Sequence, residues 1–127
     1  MRILDVIMTA PYRLFRSLDP LLRQSEAGRA GFVTTSVARA PRAYWGAYAA
    51  SKAGMENFVQ CWADEVGDIT NIRVNLLNPG GVNTQMRAKA VPGEDRGLLP
   101  MQTDVAPLIV DVLGPNDAGH SEVGSYR

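Results

Sequence analysis

The chain has 127 residues, enough for one small domain, and its 46% hydrophobic and 20% charged content is that of an ordinary soluble globular protein. Thirteen basic residues balance thirteen acidic ones, so no long-range field draws the chain to phosphate backbones and nucleic acid is not an expected partner. With a single cysteine, Cys61, and a single histidine, His120, neither an internal disulfide nor a zinc site of the usual type can be built; no metal is expected, and a reducing compartment fits.

Residues 3 to about 24 read as a helix, because Ile3, Val6, Ile7, Leu14, Leu18, Leu21 and Leu22 fall mostly on one side. Pro11 and Pro20 interrupt it; an interior proline costs about 3 kcal/mol, so packing of the apolar face has to hold the helix. The apolar opening is broken by Asp5 and lacks the marks of a signal peptide. No apolar run approaches the roughly 20 residues that span a bilayer, so the expectation is a cytoplasmic protein with no membrane partner. Ala30 to Thr35 is β-prone and predicts a strand, with Ser36 to Arg42 as loop. From about Tyr44 to Val66 the spacing of Met55, Phe58, Val59, Trp62 and Val66 predicts a long helix. That stripe reads as core, or as core on one side and interface on the other. Cys61, beside Trp62, reads as inert packing.

Ile72 to Asn78 predicts a second strand, ended by Pro79-Gly80-Gly81. Thr84 to Pro100 reads as a mobile stretch with a short helical piece around Gln85 to Ala90. Its mixed charges, Arg87, Lys89, Glu94, Asp95 and Arg96, read as a solvated lid. Thr103 is the expected cap of a last helix through Val105, Leu108, Ile109, Val112 and Leu113, stopped by Gly114-Pro115. His120, among Gly119, Ser121 and Glu122, reads as a solvated surface residue, and Glu122 to Arg127 as a final short strand. Strands alternating with helices predict an α/β protein with a parallel sheet and right-handed crossovers.

Three groups of residues carry candidate chemistry. Tyr48 and Lys52, four apart on the long helix, share one face. An ammonium beside a phenol favours the phenolate, which lets the phenol exchange a proton with an alcohol or carbonyl; the plain alternative is a surface pair. Ser36 lies just past the first strand, at the carboxyl end where open α/β sheets bind ligands. Its hydroxyl can hold a carbonyl oxygen there, or simply close a turn. Asn78 to Thr84 follows the second strand. Its glycines let backbone approach a flat ligand, or form an ordinary strand-to-helix turn.

Together these residues resemble the short-chain dehydrogenase/reductase family over nearly the whole chain. Trp45-Gly-Ala-Tyr48-Ala-Ala-Ser51-Lys52-Ala-Gly is similar to the family's Tyr-x-x-x-Lys helix, and Arg73 to Met86 to its second signature. The Trp-Gly-x-Tyr start and Thr-x-Met-Arg ending resemble a bacterial branch. The resemblance implies a partial Rossmann-type parallel sheet, made of the C-terminal strands and helices of a doubly wound domain. It implies an oxidoreductase that interconverts an alcohol and a carbonyl with NAD or NADP, acting on a small molecule. It implies Tyr48 as proton donor or acceptor, Lys52 lowering its pKa and holding the nicotinamide ribose, and Ser36 positioning the substrate carbonyl. The loop of Pro79, Gly80, Gly81, Val82 and Thr84 would meet the nicotinamide. It further implies a homo-oligomer formed through the two long helices.

The family's opening strand and glycine-rich turn, whose helix N-terminus receives the pyrophosphate, have no counterpart here. Residues 1–127 are therefore expected to be the C-terminal part of a single domain whose dinucleotide-binding half is absent. The asparagine that the family places near the start of the first helix here, on a water-linked proton path, falls on Ile7. Both departures keep a second reading open: a truncated, inactive remnant acting as a dimerisation or binding module.

Overall fold

The computed structural model describes residues 1–81 and 85–125. Three parallel strands, β1 (Arg29–Val33), β2 (Arg73–Asn78) and β3 (Val123–Ser125), pair in the order β1-β2-β3. Arg29 lies opposite Arg73 and Val33 opposite Leu77, while Leu76 faces Val123. The α/β parallel arrangement is the one expected; β1 begins one residue before its predicted span and ends two residues short of it, β2 and β3 each begin one residue late, and the predicted end of β3 lies outside the described residues.

The first helical run is α1 (Arg2–Leu4), a π-helical turn over Asp5–Thr9, and α2 (Ala10–Gln24). One continuous helix was expected; the widened turn is the difference. Pro11 has no N–H, and its ring crowds the carbonyl four residues back, on Ile7. A π turn just upstream moves that carbonyl aside, and the Ala10 N–H bonds to the Asp5 carbonyl. Met8, on this turn, lies so close to Gly54 that a Cβ there would strike its sulfur.

Helix α3 (Gly46–Gly67) starts two residues later than the pattern predicts. Tyr44 sits at φ 69°, a left-handed conformation that no α-helix accepts. Helices α4 (Gln85–Ala90) and α5 (Gln102–Leu113) complete the set. Thr103 does not cap α5. The helix begins one residue earlier, and the Asp104 carboxylate accepts from the Met101 N–H at 2.7 Å, occupying an orphan donor of the first turn.

Side chains alternate across the sheet. Ala30, Phe32, Val74 and Leu76 face α2 and α3, in a core with Phe15, Met55, Val59, Trp62, Val66 and Ile72. Gly31, Leu77 and Gly124 turn to the other face, against Leu108 and Leu113 of α5. Phe15 stacks on Trp62 at 4.8 Å between ring centroids. The α3 stripe divides: Met55, Val59, Trp62 and Val66 are buried, whereas Phe58 is exposed and rests on Tyr12.

Two surface readings are corrected. Cys61 is exposed rather than packed; it sits one step around the helix from Trp62, on the outer side. His120 is half-buried, not solvated. Its Nδ1 accepts from the Val74 N–H at 3.1 Å, and its Nε2 pairs with the Ala63 carbonyl at 2.8 Å. Only the tautomer protonated on Nε2 makes both bonds. The residue thereby ties α3 to β2.

Candidate active site

The carboxyl ends of β1 and β2 lie side by side, and the Thr34 N–H extends their ladder to the Leu77 carbonyl at 2.8 Å. Here the chain leaves β1 through an extended Thr35 into a 3-10 turn, Ser36–Ala38. Ser36 opens that turn and is exposed. Its carbonyl accepts from the N–H groups of Arg39 and Ala40, so the turn is closed by backbone bonds.

Tyr48 and Lys52 occupy the first two turns of α3. Both are half-buried. The Tyr48 ring packs edge-on against Trp45, with centroids 5.8 Å apart, and Lys52 Nζ stands 6.0 Å from the Tyr48 ring centre. Lys52 Nζ donates to the Val33 carbonyl at 2.9 Å, which fixes the ammonium at the last residue of β1. Helix pair and strand end are thus joined by a direct bond.

The electrostatics differ from the simple expectation. Burial pushes the Tyr48 phenol above its ordinary value of 10.0. Burial also lowers the Lys52 ammonium below 10.5, opposed by the nearby charge of Glu56. The expected lowering of the phenol by Lys52 is not what this arrangement produces. Desolvation of the phenolate is the cause, and the ammonium is bonded to the Val33 carbonyl.

On β2 the strand ends at Asn78, whose Oδ1 accepts from the Gly80 N–H at 3.0 Å. Gly80 takes φ 70°, which the turn requires and which an L-side chain rarely adopts. Among the described residues, none beyond Gly80 and its chain neighbours comes within 4 Å of where a Cβ on Gly80 would stand, so they leave an open shelf there. Pro79 and Gly81 flank it; the predicted Val82 and Thr84 lie outside the described residues. Farther on, Arg87 is not simply solvated: its guanidinium grips the Glu94 carboxylate through two bonds of 2.8 Å.

Sequence reasoning missed Thr34, Arg39 and Glu56. Glu56 is 5% exposed. Its Oε2 accepts from the Thr34 hydroxyl. Its Oε1 accepts from Arg39 Nε at 3.1 Å and Nη2 at 2.7 Å. The signal was available. Glu56 follows Lys52 by one helical turn and sits beside Met55 on the buried face, where a carboxylate must find partners.

The family model for short chain dehydrogenases matches residues 1–95. An uncharacterized oxidoreductase of Escherichia coli K12, YciK, is 44% identical over 112 residues, covering 88% of this chain and 44% of the relative. A short chain dehydrogenase from Salmonella enterica serovar Typhi superposes with a TM-score of 0.90 at 39% identity, over 96% of this chain and 50% of that one. Another, from Shigella flexneri 2a and solved in complex with NADP, gives a TM-score of 0.89 at 39% identity, over 96% of this chain and 51% of that one. The chain thus spans about half the length of the relatives it matches.

Proposed function

The chain belongs to the short-chain dehydrogenase family, and from that premise we propose that the protein is an oxidoreductase interconverting a small alcohol and its carbonyl with NAD or NADP. Its 127 residues form the C-terminal part of a single Rossmann-type domain. The observation that carries the reading is the bond from Lys52 Nζ to the Val33 carbonyl, which fixes the Tyr48–Lys52 pair at the carboxyl ends of the strands. Two similar solved structures carry the phosphorylated cofactor, NADP in one and NADPH in the other, which supports the phosphorylated form.

The described residues fit the nicotinamide end of such a cofactor. Gly80 leaves open space where a side chain would stand, and Lys52 offers an ammonium to ribose hydroxyls. The cofactor supplies the hydride, and the protein supplies orientation and the proton. Tyr48 donates that proton to the substrate oxygen. Burial raises the phenol, so it stays protonated at neutral pH, and this favours the reducing direction. Ser36 holds the carbonyl oxygen as charge develops on it. Ile7, half-buried on the π turn, offers no amide for a proton relay.

The exposed Val6, Leu14, Leu18 and Leu21 on the first helical run support self-association through the long helices. A non-catalytic binding module would rest on the same residues, but it gives no reason for the Tyr48, Lys52 and Ser36 set. The test is NADPH oxidation by the intact protein across a panel of aldehydes and ketones. Tyr48→Phe should lower the rate about 100-fold or more, with NADPH affinity kept. A Tyr48→Phe protein as active as its parent would overturn the proposal.

A further inference from the structure

We infer that Glu56 is a positioning residue: it clamps the segment that carries Ser36 onto α3, one helical turn from Lys52. The inference rests on the function proposed above and adds a residue to it. Ser36 lies between two anchored points. Before it, the Thr34 hydroxyl bonds Glu56 Oε2; after it, the Arg39 guanidinium straddles Glu56 Oε1. Between those anchors the backbone is a closed 3-10 turn, so Ser36 has little freedom. Glu56 stands two helical turns from Tyr48 on the same helix. One carboxylate therefore sets the strand-end serine and the helical tyrosine in a common frame.

Lys52 lies one helical turn from Glu56 on α3. Burial disfavours the ammonium, and the Glu56 charge counters it. The groups bonded to this carboxylate are the Arg39 guanidinium from the turn and the neutral Thr34 hydroxyl after β1, and the first helical run, which also packs on α3, carries the charges of Arg2 and Asp5. A carboxylate with its side chain 7% exposed, paired with an arginine whose side chain is 49% exposed, is a poor choice for stability alone. Buried ion pairs are commonly matched or bettered by apolar packing. A role in holding a reacting constellation accounts for its place.

Two readouts test this in the intact protein. The first is carbon-13 NMR of labelled lysine side chains, with Lys52 identified by the signal lost in Lys52→Arg. Glu56→Gln removes the countering charge, so Lys52 should titrate at lower pH than in the parent. Arg39→Met removes the positive partner of that carboxylate, so Lys52 should titrate at higher pH. Arg39 is half-exposed, and this variant is expected to fold even if Glu56→Gln does not. Opposite displacements follow the sign of the charge removed, which a general loosening of the packing would not give. The second readout is kinetic: with NADPH and benzaldehyde or whichever panel carbonyl the parent reduces, Glu56→Gln should lower kcat about 10- to 100-fold, as misplacement by about 1 Å does. Glu56→Asp should recover part of that loss. An unmoved Lys52 titration in both variants, or a kcat within twofold of the parent in a folded Glu56→Gln, overturns the inference. An active Tyr48→Phe would overturn the proposed function instead, and leaves the Lys52 titrations to judge the clamp by themselves.

Discussion

Asp19 shows how one side chain joins two elements. Its Oδ2 accepts from the Trp62 indole N–H at 2.7 Å, and its Oδ1 from Arg23. Burial by itself would raise this carboxyl, but the bonds from Arg23 and Trp62 hold it below its ordinary value of 3.8. A depressed folded value means that the stabilising contribution is present above the unfolded value and is lost as pH falls through the folded one. Stability should therefore be insensitive to Asp19 from neutrality down to about pH 5, and should decline below about pH 4. Asp19→Ala leaves the buried indole N–H without its acceptor and should cost about 1–3 kcal/mol. Urea unfolding of parent and variant at pH 7 and pH 3 checks both statements: the gap between them should shrink in acid. A gap that stays constant would show that the carboxylate charge is not what α2 and α3 share.

Among elements, β2 is the hinge of the fold. It is hydrogen-bonded on both sides, and Asn75 is buried within it. Asn75 Nδ2 donates to the Gly119 carbonyl at 2.9 Å, and its Oδ1 accepts from the Glu122 N–H at 3.0 Å. These bonds bring β3 into register. Arg29 adds a second fastening, with Nη2 donating to the carbonyls of Pro115 and Asp117 at 3.1 and 2.7 Å. His120 is the third. His120→Ala would leave the buried Val74 N–H unpaired, and the expected cost is about 1–3 kcal/mol. Amide exchange at Val74 should accelerate in the variant. Unchanged protection there would mean that the imidazole bond to β2 is dispensable.

For the whole molecule the deciding quantity is how much of a dinucleotide the chain can grip. The described residues offer a shelf at Gly80 and the Lys52 ammonium. The 127-residue sequence carries no Gly-x-Gly-x-x-Gly run of the kind that receives a pyrophosphate. Binding energy from remote parts of a ligand holds its reacting end in place. The 127-residue chain by itself should therefore bind NADPH weakly and turn over little. Calorimetric titration of that polypeptide with NAD and NADPH is the check, and micromolar affinity would refute the expectation. None of the helices among the described residues is long and apolar enough to cross a membrane.

Local pattern was enough to read the strands, the long helix and the Tyr48–Lys52 pair from the sequence. Period-2 and period-3.6 apolar spacing and the Pro79-Gly80 stop act within a few residues of one another. The family likeness rested on the same short motifs. What the sequence left open depended on partners far along the chain. His120 reads as a surface residue until β2 and α3 come together around it, 46 and 57 residues away. Glu56 reads as one more helix charge until β1 delivers the Thr34 hydroxyl and the following turn delivers Arg39. The phenol of Tyr48 was expected to fall beside a lysine, and it rises instead, because burial disfavours the phenolate. Desolvation and hydrogen bonding depend on what surrounds a group in space, and only the tertiary structure assembles those surroundings.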